Sequence, residues 1–285
     1  MSWVRVNKNK PCPICGKPDW CSVTVDGACR CMRVQEAPGW KAIKQHVDGG
    51  VTFRPANEDT TEYKERYRPK PPPVRLYDWR NIQEELYQAS EASTRKQLAE
   101  ELGVSVIALT ALGVGWHEKK EAHTFPMYNE QGVVVGIRMR SRSGKKYALP
   151  GSKDGLFGIF DMSYKSTDPI LVAEGPTDVA ALLDLGFHFS VGRPSCRGAV
   201  GILKKLLKCR DVVIISDADG PGVDGAKSLA HSLIGIVNRL KIVVPPENDM
   251  REWRNKGATR DDVQLLISNT QECKDAGQIQ SITSE

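Results

Sequence analysis

Two apolar runs that each end in acidic residues constrain the fold of this chain more than any other feature. Ile170–Ala173 leads directly into Glu174, and Val212–Ile215 leads, after one serine, into Asp217 and Asp219. Apolar runs of this length that stop at glycine-containing turns are typical of strands covered on both faces. Helical periodicity follows each run, and two further strand–helix pairs complete the pattern. Four strand–helix repeats predict a parallel, Rossmann-like sheet whose ligand site lies beyond the carboxyl ends of the strands.

The acids at these strand ends favour a site for divalent metal. On an extended backbone the side chains of Asp217 and Asp219 project the same way and can share one hard cation, while Glu174 on the neighbouring strand takes a second role. Oxygen ligands without nearby histidine or cysteine favour magnesium or manganese, and two such ions assist phosphoryl transfer. The alternative is that Asp-x-Asp-Gly is only a turn. Glu174, with Gly175 and Asp178 close behind it, favours the metal site.

Both acidic stretches resemble the two motifs of the Toprim domain, which bacterial and phage DNA primases share with topoisomerases and some nucleases. The matching residues are Glu174-Gly-Pro-Thr-Asp178 and Asp217-Ala-Asp-Gly-Pro-Gly, in the same order and at strand ends. The resemblance implies that Glu174, Asp217 and Asp219 hold magnesium or manganese. It also implies that Asp178 supports Glu174 or a metal-bound water.

The same resemblance implies another acid after the fourth strand, and Asp249 is its best match. Primases commonly carry a second acid two residues further on, where this chain has Arg251. Glu247 and Glu252 are the nearby acids that could compensate for that departure.

A cluster of cysteines near the start of the chain predicts a zinc site. Five of the eight cysteines lie between residues 12 and 31, beginning with Cys12-Pro-Ile-Cys15-Gly. In a reduced cytosolic protein, which this chain is expected to be, such a cluster indicates zinc rather than disulfides. A hairpin that turns at Asp26-Gly27 would place Cys21 and Cys31 on adjoining strands near its open end. We therefore predict one structural zinc bound by Cys12, Cys15, Cys21 and Cys31, with Cys29 as an alternative to Cys21 or Cys31.

A zinc ribbon ahead of a Toprim domain is also the order found in DNA primases, where the ribbon helps to engage single-stranded template. Aromatic and basic residues of the ribbon that are suited to stacking on bases and pairing with phosphates are Trp20, Arg30, Arg33, Trp40 and Lys41. The alternative is that Trp20 and Trp40 form the core of this small domain.

Basic residues are concentrated on a second predicted hairpin, which spans residues 122–140. Apolar and polar residues alternate there around Asn129-Glu-Gln-Gly, and the stretch between Arg138 and Lys153 holds no acid. A solvated strand face usually mixes the two signs of charge, so the run favours phosphate binding. The residues concerned are Arg138, Arg140, Arg142, Lys145 and Lys146.

The surrounding sequence resembles the RNA-polymerase core of bacterial-type primases. The matching segments are Phe125-Pro-Met, Gly136-Ile-Arg-Met-Arg140, Lys146-Tyr-Ala-Leu-Pro and Gly155-Leu-Phe-Gly158. This resemblance implies that Arg140 and Lys146 lie in the groove for template and incoming nucleotide, with Arg138 beside them.

The whole chain is expected to be an α/β protein, α+β overall. The expected parts are a zinc ribbon over residues 1–53, a charged proline-rich linker over 54–77, a mixed α+β subdomain over 78–168, a Toprim domain with a four-stranded parallel sheet over 169–269, and a polar tail over 270–285. No apolar run approaches membrane-spanning length and the first residues do not resemble a signal peptide, so we expect no membrane partner and a cytoplasmic location in a bacterial or phage-infected cell.

The expected function is that of a DNA primase of phage or mobile-element type, which makes RNA primers from ribonucleoside triphosphates on single-stranded DNA. The sequence has no Gly-x4-Gly-Lys-Ser/Thr motif, so we expect a stand-alone primase that works with a separate replicative helicase. Two alternatives are a Toprim nuclease and a non-catalytic recombination mediator that pairs zinc with a Toprim-like domain. A topoisomerase is disfavoured, because the chain has little room for a further domain with a nucleophilic tyrosine.

Overall fold

The computed structural model describes residues 3–46, 48–56, 77–158 and 168–280. The chain divides into two compact units, Met1–Arg75 and Leu76–Glu285. Most of the predicted linker, residues 57–76, lies outside the described residues. Among the helices described, none has the length and apolar character needed to cross a membrane.

The first unit is built on a small antiparallel sheet with cysteine-rich packing. Its strands are β1 (Trp3–Arg5), β2 (Ser22–Thr24), β3 (Cys29–Cys31), β4 (Trp40–Gln45) and β5 (Val51–Pro55), in the order β1-β2-β3-β5-β4. The predicted hairpin is confirmed: β2 pairs with β3, and Ser22 lies opposite Arg30. Val23 and Phe53 pack with buried cysteines in the core. Trp40 packs against that core, whereas Trp20 is 71% exposed and takes no part in it.

The second unit begins with three helices and a four-stranded antiparallel sheet. The helices are α1 (Trp79–Gln88), α2 (Ala92–Leu102) and α3 (Val106–Ala111); the strands are β6 (Gly115–His117), β7 (Ala122–Tyr128), β8 (Val134–Ser141) and β9 (Lys146–Ala148), in chain order across the sheet. The predicted hairpin is therefore β7 and β8. Gly103 ends α2 in a left-handed conformation at φ 66°, where glycine has no steric penalty.

A parallel sheet forms the rest of this unit and confirms the predicted fold. Its strands are β10 (Ile170–Ala173), β11 (Ser190–Gly192), β12 (Asp211–Ile215) and β13 (Arg239–Val243), in the order β11-β10-β12-β13. All three strand pairings are parallel. The helices around it are α4 (Pro176–Asp184), α5 (Val200–Leu206), α6 (Gly220–Leu233), α7 (Met250–Asn255), α8 (Arg260–Asn269) and α9 (Ala276–Gln280).

Successive residues of the central strands face two separate cores. Leu171 and Val213 pack in one core with α4 and with β7, while Val172 and Ile214 pack in the other with α5 and α6. Both faces of the sheet are thus covered, which is why these strands are continuous apolar runs rather than alternating ones. The burial of both faces fixes the strand ends, and with them the positions of the acids.

Residues 270–280, within the predicted polar tail, contribute apolar side chains to a core of the second unit. Cys273 and Ile279 are buried in the core formed by α5 and α6. The backbone N–H of Cys273 donates a hydrogen bond of 2.7 Å to the carbonyl of Leu240. Residues 270–280 therefore extend the second unit and help to cover its sheet.

Candidate active site

Glu174 is the first residue after β10 and sits in a tight strand-to-helix turn. Gly175 has φ 115° and α4 begins directly after it, with proline at its first position. A Cβ atom on Gly192, at the end of the neighbouring strand β11, would lie 2.6 Å from the carbonyl oxygen of Gly175. The two strand ends can approach this closely only because residue 192 is glycine, and glycine at position 175 allows the positive φ of the turn that holds Glu174 at the carboxyl edge of the sheet.

The two aspartates lie in the turn that follows β12, not on the strand itself. Asp219 is the N-cap of α6, and its Oδ1 accepts a 2.7 Å hydrogen bond from the N–H of Gly222. The side-chain alternation expected of a strand therefore does not describe this pair; helix capping orients Asp219 instead. A Cβ atom on Gly222 would meet the Cβ and carbonyl oxygen of Asp217 at 2.8 Å. Glycine at this position allows α6 to start directly against the aspartate turn.

Burial and mutual repulsion act on the carboxyl groups of this site. Burial, together with the charges of Glu174 and Asp249, raises the pKa of Asp217 to about 7. Burial also raises the pKa of Asp178 to about 8, with added repulsion from Asp249 and Asp217. The pKa of Glu174 is raised by burial, against the attraction of Arg193. These groups are close enough to influence one another, as expected of acids gathered for a cation.

Carboxylate oxygens suit a hard cation, but these carboxylates lie further apart than the ligands of an occupied metal site. The Oε2 atom of Glu174 is buried and has no hydrogen-bond partner among the described residues. An orphaned carboxylate oxygen of this kind is costly to bury, and a bound cation would compensate it. Within the described part of the chain, four cysteines are the only set of three or more metal-binding side chains whose ligand atoms lie close together. A cation would have to draw the repelling carboxylates together.

Basic side chains face two of the acids across a cleft of about 270 Å³. The cleft is lined by Glu174 and Asp217 and by the predicted cations Arg138, Arg140 and Lys146. Arg140 lies opposite Lys146 in the pairing of β8 with β9, and Arg138 follows on the same face two residues away. Lys146 acts electrostatically on both acids and lowers their pKa values. Phosphate groups placed here would lie within one cleft that contains both cations and metal-binding oxygens.

The other two predicted cations lie away from this cleft. The guanidinium group of Arg142 stacks over the ring of Trp116, at 5.3 Å from its centroid. Lys145 belongs to the turn between β8 and β9, where its N–H donates to the Oγ of Ser141. Neither residue lines the cleft.

Arg193 is a residue of the cleft that the sequence reasoning missed. It directly follows β11 and is only 3% exposed, and its Nη1 donates a 2.7 Å hydrogen bond to the carbonyl of Cys196. Burial lowers the pKa of Arg193, while the charges of Glu174 and Asp217 oppose that shift. The available signal was its position at the carboxyl end of a parallel strand, where functional side chains gather.

Asp249 lies at the start of α7, beside Asp178. One of its oxygens caps the helix by accepting from the N–H of Glu252 at 2.6 Å, and the other accepts from Arg251 at 3.3 Å. The N–H of Arg251 donates to Asp178 at 3.3 Å. Asp249 is therefore near the acidic cluster but does not line the cleft.

In the first unit, the four cysteines chosen as zinc ligands come together. The sulfur atoms of Cys12, Cys15, Cys21 and Cys31 all lie within 4.8 Å of one another, an arrangement that fits a structural zinc site. The pKa values of Cys12, Cys21 and Cys31 are raised; burial raises all three, and a hydrogen bond with Cys29 is the largest cause at Cys12. Bound zinc would stabilise the thiolates that this crowding disfavours. Cys29 lies outside the group, with its sulfur 3.6 Å from that of Cys12.

A larger cavity of about 410 Å³ lies at the opposite edge of the parallel sheet, between Phe187 and Arg260 and beside Pro169 at the start of β10. Ligands of open parallel sheets bind at the carboxyl ends of the strands. The smaller cleft, which holds the acids and the cations, is therefore the candidate active site.

No family model matches the sequence, and no curated protein is significantly similar to it. Solved structures of bacterial primases are similar in fold. A DnaG primase catalytic domain bound to single-stranded DNA is 15% identical and superposes with a TM-score of 0.57, over 71% of this chain and 79% of that one. The Escherichia coli primase catalytic core is 15% identical, with a TM-score of 0.55 over 68% of this chain and 79% of that one.

The zinc-binding and RNA polymerase domains of the Aquifex aeolicus primase are 17% identical, with a TM-score of 0.56 over 74% of this chain and 66% of that one. At such low identity the likeness establishes architecture rather than activity. The chain has the fold of the catalytic core of DnaG-type primases.

Proposed function

We propose that this protein is a DNA primase, which joins ribonucleotides into short RNA primers on single-stranded DNA. One observation carries the proposal: in a primase-type fold, acids from two neighbouring strand ends, Glu174 and Asp217, share one cleft with Arg138, Arg140 and Lys146. Nucleotidyl transfer needs metal-binding carboxylates beside cations that hold phosphate. The residues that line the cleft include both kinds of group.

In the proposed reaction the 3′ oxygen of the primer forms a bond with the α-phosphorus of a ribonucleoside triphosphate. The bond between the α-phosphorus and its bridging oxygen breaks, pyrophosphate leaves, and the hydroxyl proton passes to solvent. Glu174, Asp217 and Asp219 would hold magnesium or manganese, which when bound would activate the attacking oxygen and neutralise the charge of the departing pyrophosphate. Arg138, Arg140 and Lys146 bind phosphates of the template or triphosphate and orient the reacting groups.

Two buried residues support this arrangement. Burial and the neighbouring acids Asp249 and Asp217 raise the pKa of Asp178 to about 8, which favours its neutral form and limits the negative charge beside the metal-free site. Arg193 attracts Glu174 and lowers its pKa, which favours the ionised form that binds a cation.

The zinc-binding unit is proposed to hold the single-stranded template. Trp20 presents 71% of its surface to solvent, and the guanidinium group of Arg33 lies 5.4 Å from the centroid of its ring. An exposed aromatic ring beside a cation suits stacking on an unpaired base. In the bacterial or phage-infected cytoplasm, a separate replicative helicase would supply the single strand.

A labelled-product assay tests the proposal against its alternatives. Single-stranded DNA of mixed sequence is incubated with magnesium or manganese, with and without ribonucleotides, and both DNA and RNA are followed. Primer formation that requires ribonucleotides is the expected result. Cleavage of the DNA without ribonucleotides would indicate a Toprim nuclease, and binding without any metal-dependent chemistry would indicate a recombination mediator.

A further inference from the structure

In the corner of the cluster around Asp249, each carboxylate oxygen of Asp249 already has a partner on its own helix, α7. Both oxygens of Asp249 are engaged, one by the N–H of Glu252 at 2.6 Å and the other by the guanidinium group of Arg251 at 3.3 Å. A divalent ion bound here would compete with the helix cap and with the arginine for these two oxygens. This competition opposes metal binding at Asp249.

The acids that would compensate are also occupied. Glu247 pairs with Lys256 at 2.6 Å, and Glu252 pairs with the same lysine at 3.1 Å. The second oxygen of Glu252 accepts a 2.6 Å hydrogen bond from Asn248. Neither glutamate supplies this corner with an uncommitted carboxylate.

Arg251 gives the corner a permanent positive charge instead. Its backbone N–H donates to the buried Asp178, and its guanidinium group pairs with Asp249. Both the backbone and the side chain of Arg251 are therefore held in place. Its side chain nevertheless keeps 30% of its surface exposed. Of the five N–H donors of a guanidinium group, those of one nitrogen contact Asp249. The remaining donors can form two parallel hydrogen bonds to a phosphate or a carboxylate.

We propose that Arg251 binds a phosphate group of the nucleotide substrate, with Asp249 as its positioning residue, and that divalent metal is confined to Glu174, Asp217 and Asp219. The proposal rests on the proposed function, because a phosphate reaches this corner only if a nucleotide occupies the adjacent cleft. It replaces the expectation that Asp249 is itself a metal ligand. Arg251 would then neutralise phosphate charge at the place where a further ion would otherwise be required.

Manganese binding to the full-length protein, measured by electron paramagnetic resonance with manganese alone, tests the first half of this proposal. Asp249→Asn keeps an N-cap residue, since asparagine caps helices as well as aspartate, but it removes the charge. We expect manganese affinity to change by less than about threefold in Asp249→Asn and to fall by more than about tenfold in Glu174→Gln and Asp217→Asn. An equal loss of affinity in Asp249→Asn and Asp217→Asn would overturn the proposal.

Binding of magnesium-ATP, measured by calorimetry, tests the second half. We expect Arg251→Gln to weaken binding by about tenfold or more and Arg251→Lys to recover part of the loss, while manganese affinity is maintained or increased. The matched control is Arg239→Gln, because Arg239 is an exposed arginine paired with Asp211 at the far end of the parallel sheet. Unchanged ATP affinity in Arg251→Gln would exclude the phosphate contact.

These measurements separate the proposal from the proposed function. If the wild-type protein binds manganese and ATP but makes no primer, primer synthesis is wrong and the assignment of Arg251 to phosphate is still decided by the variants. If primers are made and Arg251→Gln binds ATP normally, the function holds and the assignment of Arg251 fails.

Discussion

At the scale of single residues, the sequence locates the acids well and the cations only in part. Glu174 and Asp217 follow buried strands, so their positions were determined by a pattern that burial imposes. The orientation of Asp219 was not predictable from alternation, because a hydrogen bond to the N–H of Gly222 controls it. Arg193 was missed because an isolated arginine after a short strand carries no periodic signal. Its importance depends on burial beside Glu174, which only the fold reveals.

The raised pKa values predict that the metal-free protein becomes less stable as pH rises. Burial raises the pKa of Asp217 to about 7 and that of Asp178 to about 8, from an ordinary value of 3.8 in each case. The folded state therefore binds more protons than the unfolded state between about pH 4 and pH 8, and its stability falls across that window. Magnesium requires the ionised acids, so its stabilising effect should be larger near about pH 8.5 than near about pH 6.

Thermal unfolding with and without magnesium at the two pH values measures this effect. Asp217→Asn removes one titrating ligand, so the stabilisation by magnesium should differ less between the two pH values in this variant. A magnesium-induced shift in Tm that is equal at both pH values would show that these acids do not bind the ion.

Arg193 provides a second prediction at the residue scale. Its charge lowers the pKa of Glu174, so Arg193→Gln should move the pH midpoint of magnesium-induced stabilisation upward, by about half a unit or more. Arg197→Gln is the control, because Arg197 is exposed in the same loop. An unmoved midpoint in Arg193→Gln, with altered stability alone, would mean that the arginine only supports the loop through its hydrogen bond to Cys196.

At the scale of elements, strand identity was predictable and helix starts were not. The sheet is covered on both faces, so its strands are apolar runs with clear ends. Helix α6 begins at Gly220 because Asp219 caps it and a proline occupies its first turn. The N-cap residue of α2 is Glu91, and its carboxylate accepts a hydrogen bond from the Ser93 hydroxyl. Local side-chain contacts of this kind decide helix ends without leaving a periodic signature.

The contact between α6 and the aspartate turn gives a prediction for this scale. In Gly222→Ala the added Cβ would lie 2.8 Å from Asp217, so the turn must shift. We expect the free energy of unfolding to fall by about 1–3 kcal/mol and the stabilisation by magnesium to be lost. Gly220→Ala lies in the same helix, where a Cβ has nothing within 4 Å, and should be neutral or stabilising by up to about 1 kcal/mol. Chemical denaturation with and without magnesium distinguishes them. Equal behaviour of the two variants would contradict the proposed tight contact.

At the scale of the whole molecule, the chain contains two compact units with different sources of stability. The second unit has two apolar cores on either side of a parallel sheet, whereas the first has short strands packed around cysteines. A sheet of this size with a small core commonly needs a metal to fold. The sequence predicted the zinc ribbon, the mixed subdomain and the parallel sheet because each has its own pattern. It did not predict that residues 270–280 pack against the parallel-sheet unit, since Cys273 and Ile279 are isolated apolar positions.

Zinc content provides the prediction for the first unit. Cys31→Ser removes one of the four gathered sulfurs, so we expect zinc to fall well below about one ion per chain and the first unit to lose its structure. Cys29→Ser is the matched control on the same strand and should retain about one zinc. Metal analysis of purified protein, with circular dichroism before and after chelation, makes the comparison. Loss of zinc in Cys29→Ser with retention in Cys31→Ser would reverse the ligand assignment.

The most direct measurement is incorporation of labelled ribonucleotides on single-stranded DNA by the wild-type protein and by Asp217→Asn, in magnesium and in manganese. Asparagine has nearly the shape of aspartate but lacks the charge that binds a cation. We expect short RNA products from the wild-type protein and a loss of at least about a hundredfold in the variant, with DNA binding retained. Primer synthesis that persists in Asp217→Asn would contradict a metal-dependent centre built on Glu174, Asp217 and Asp219.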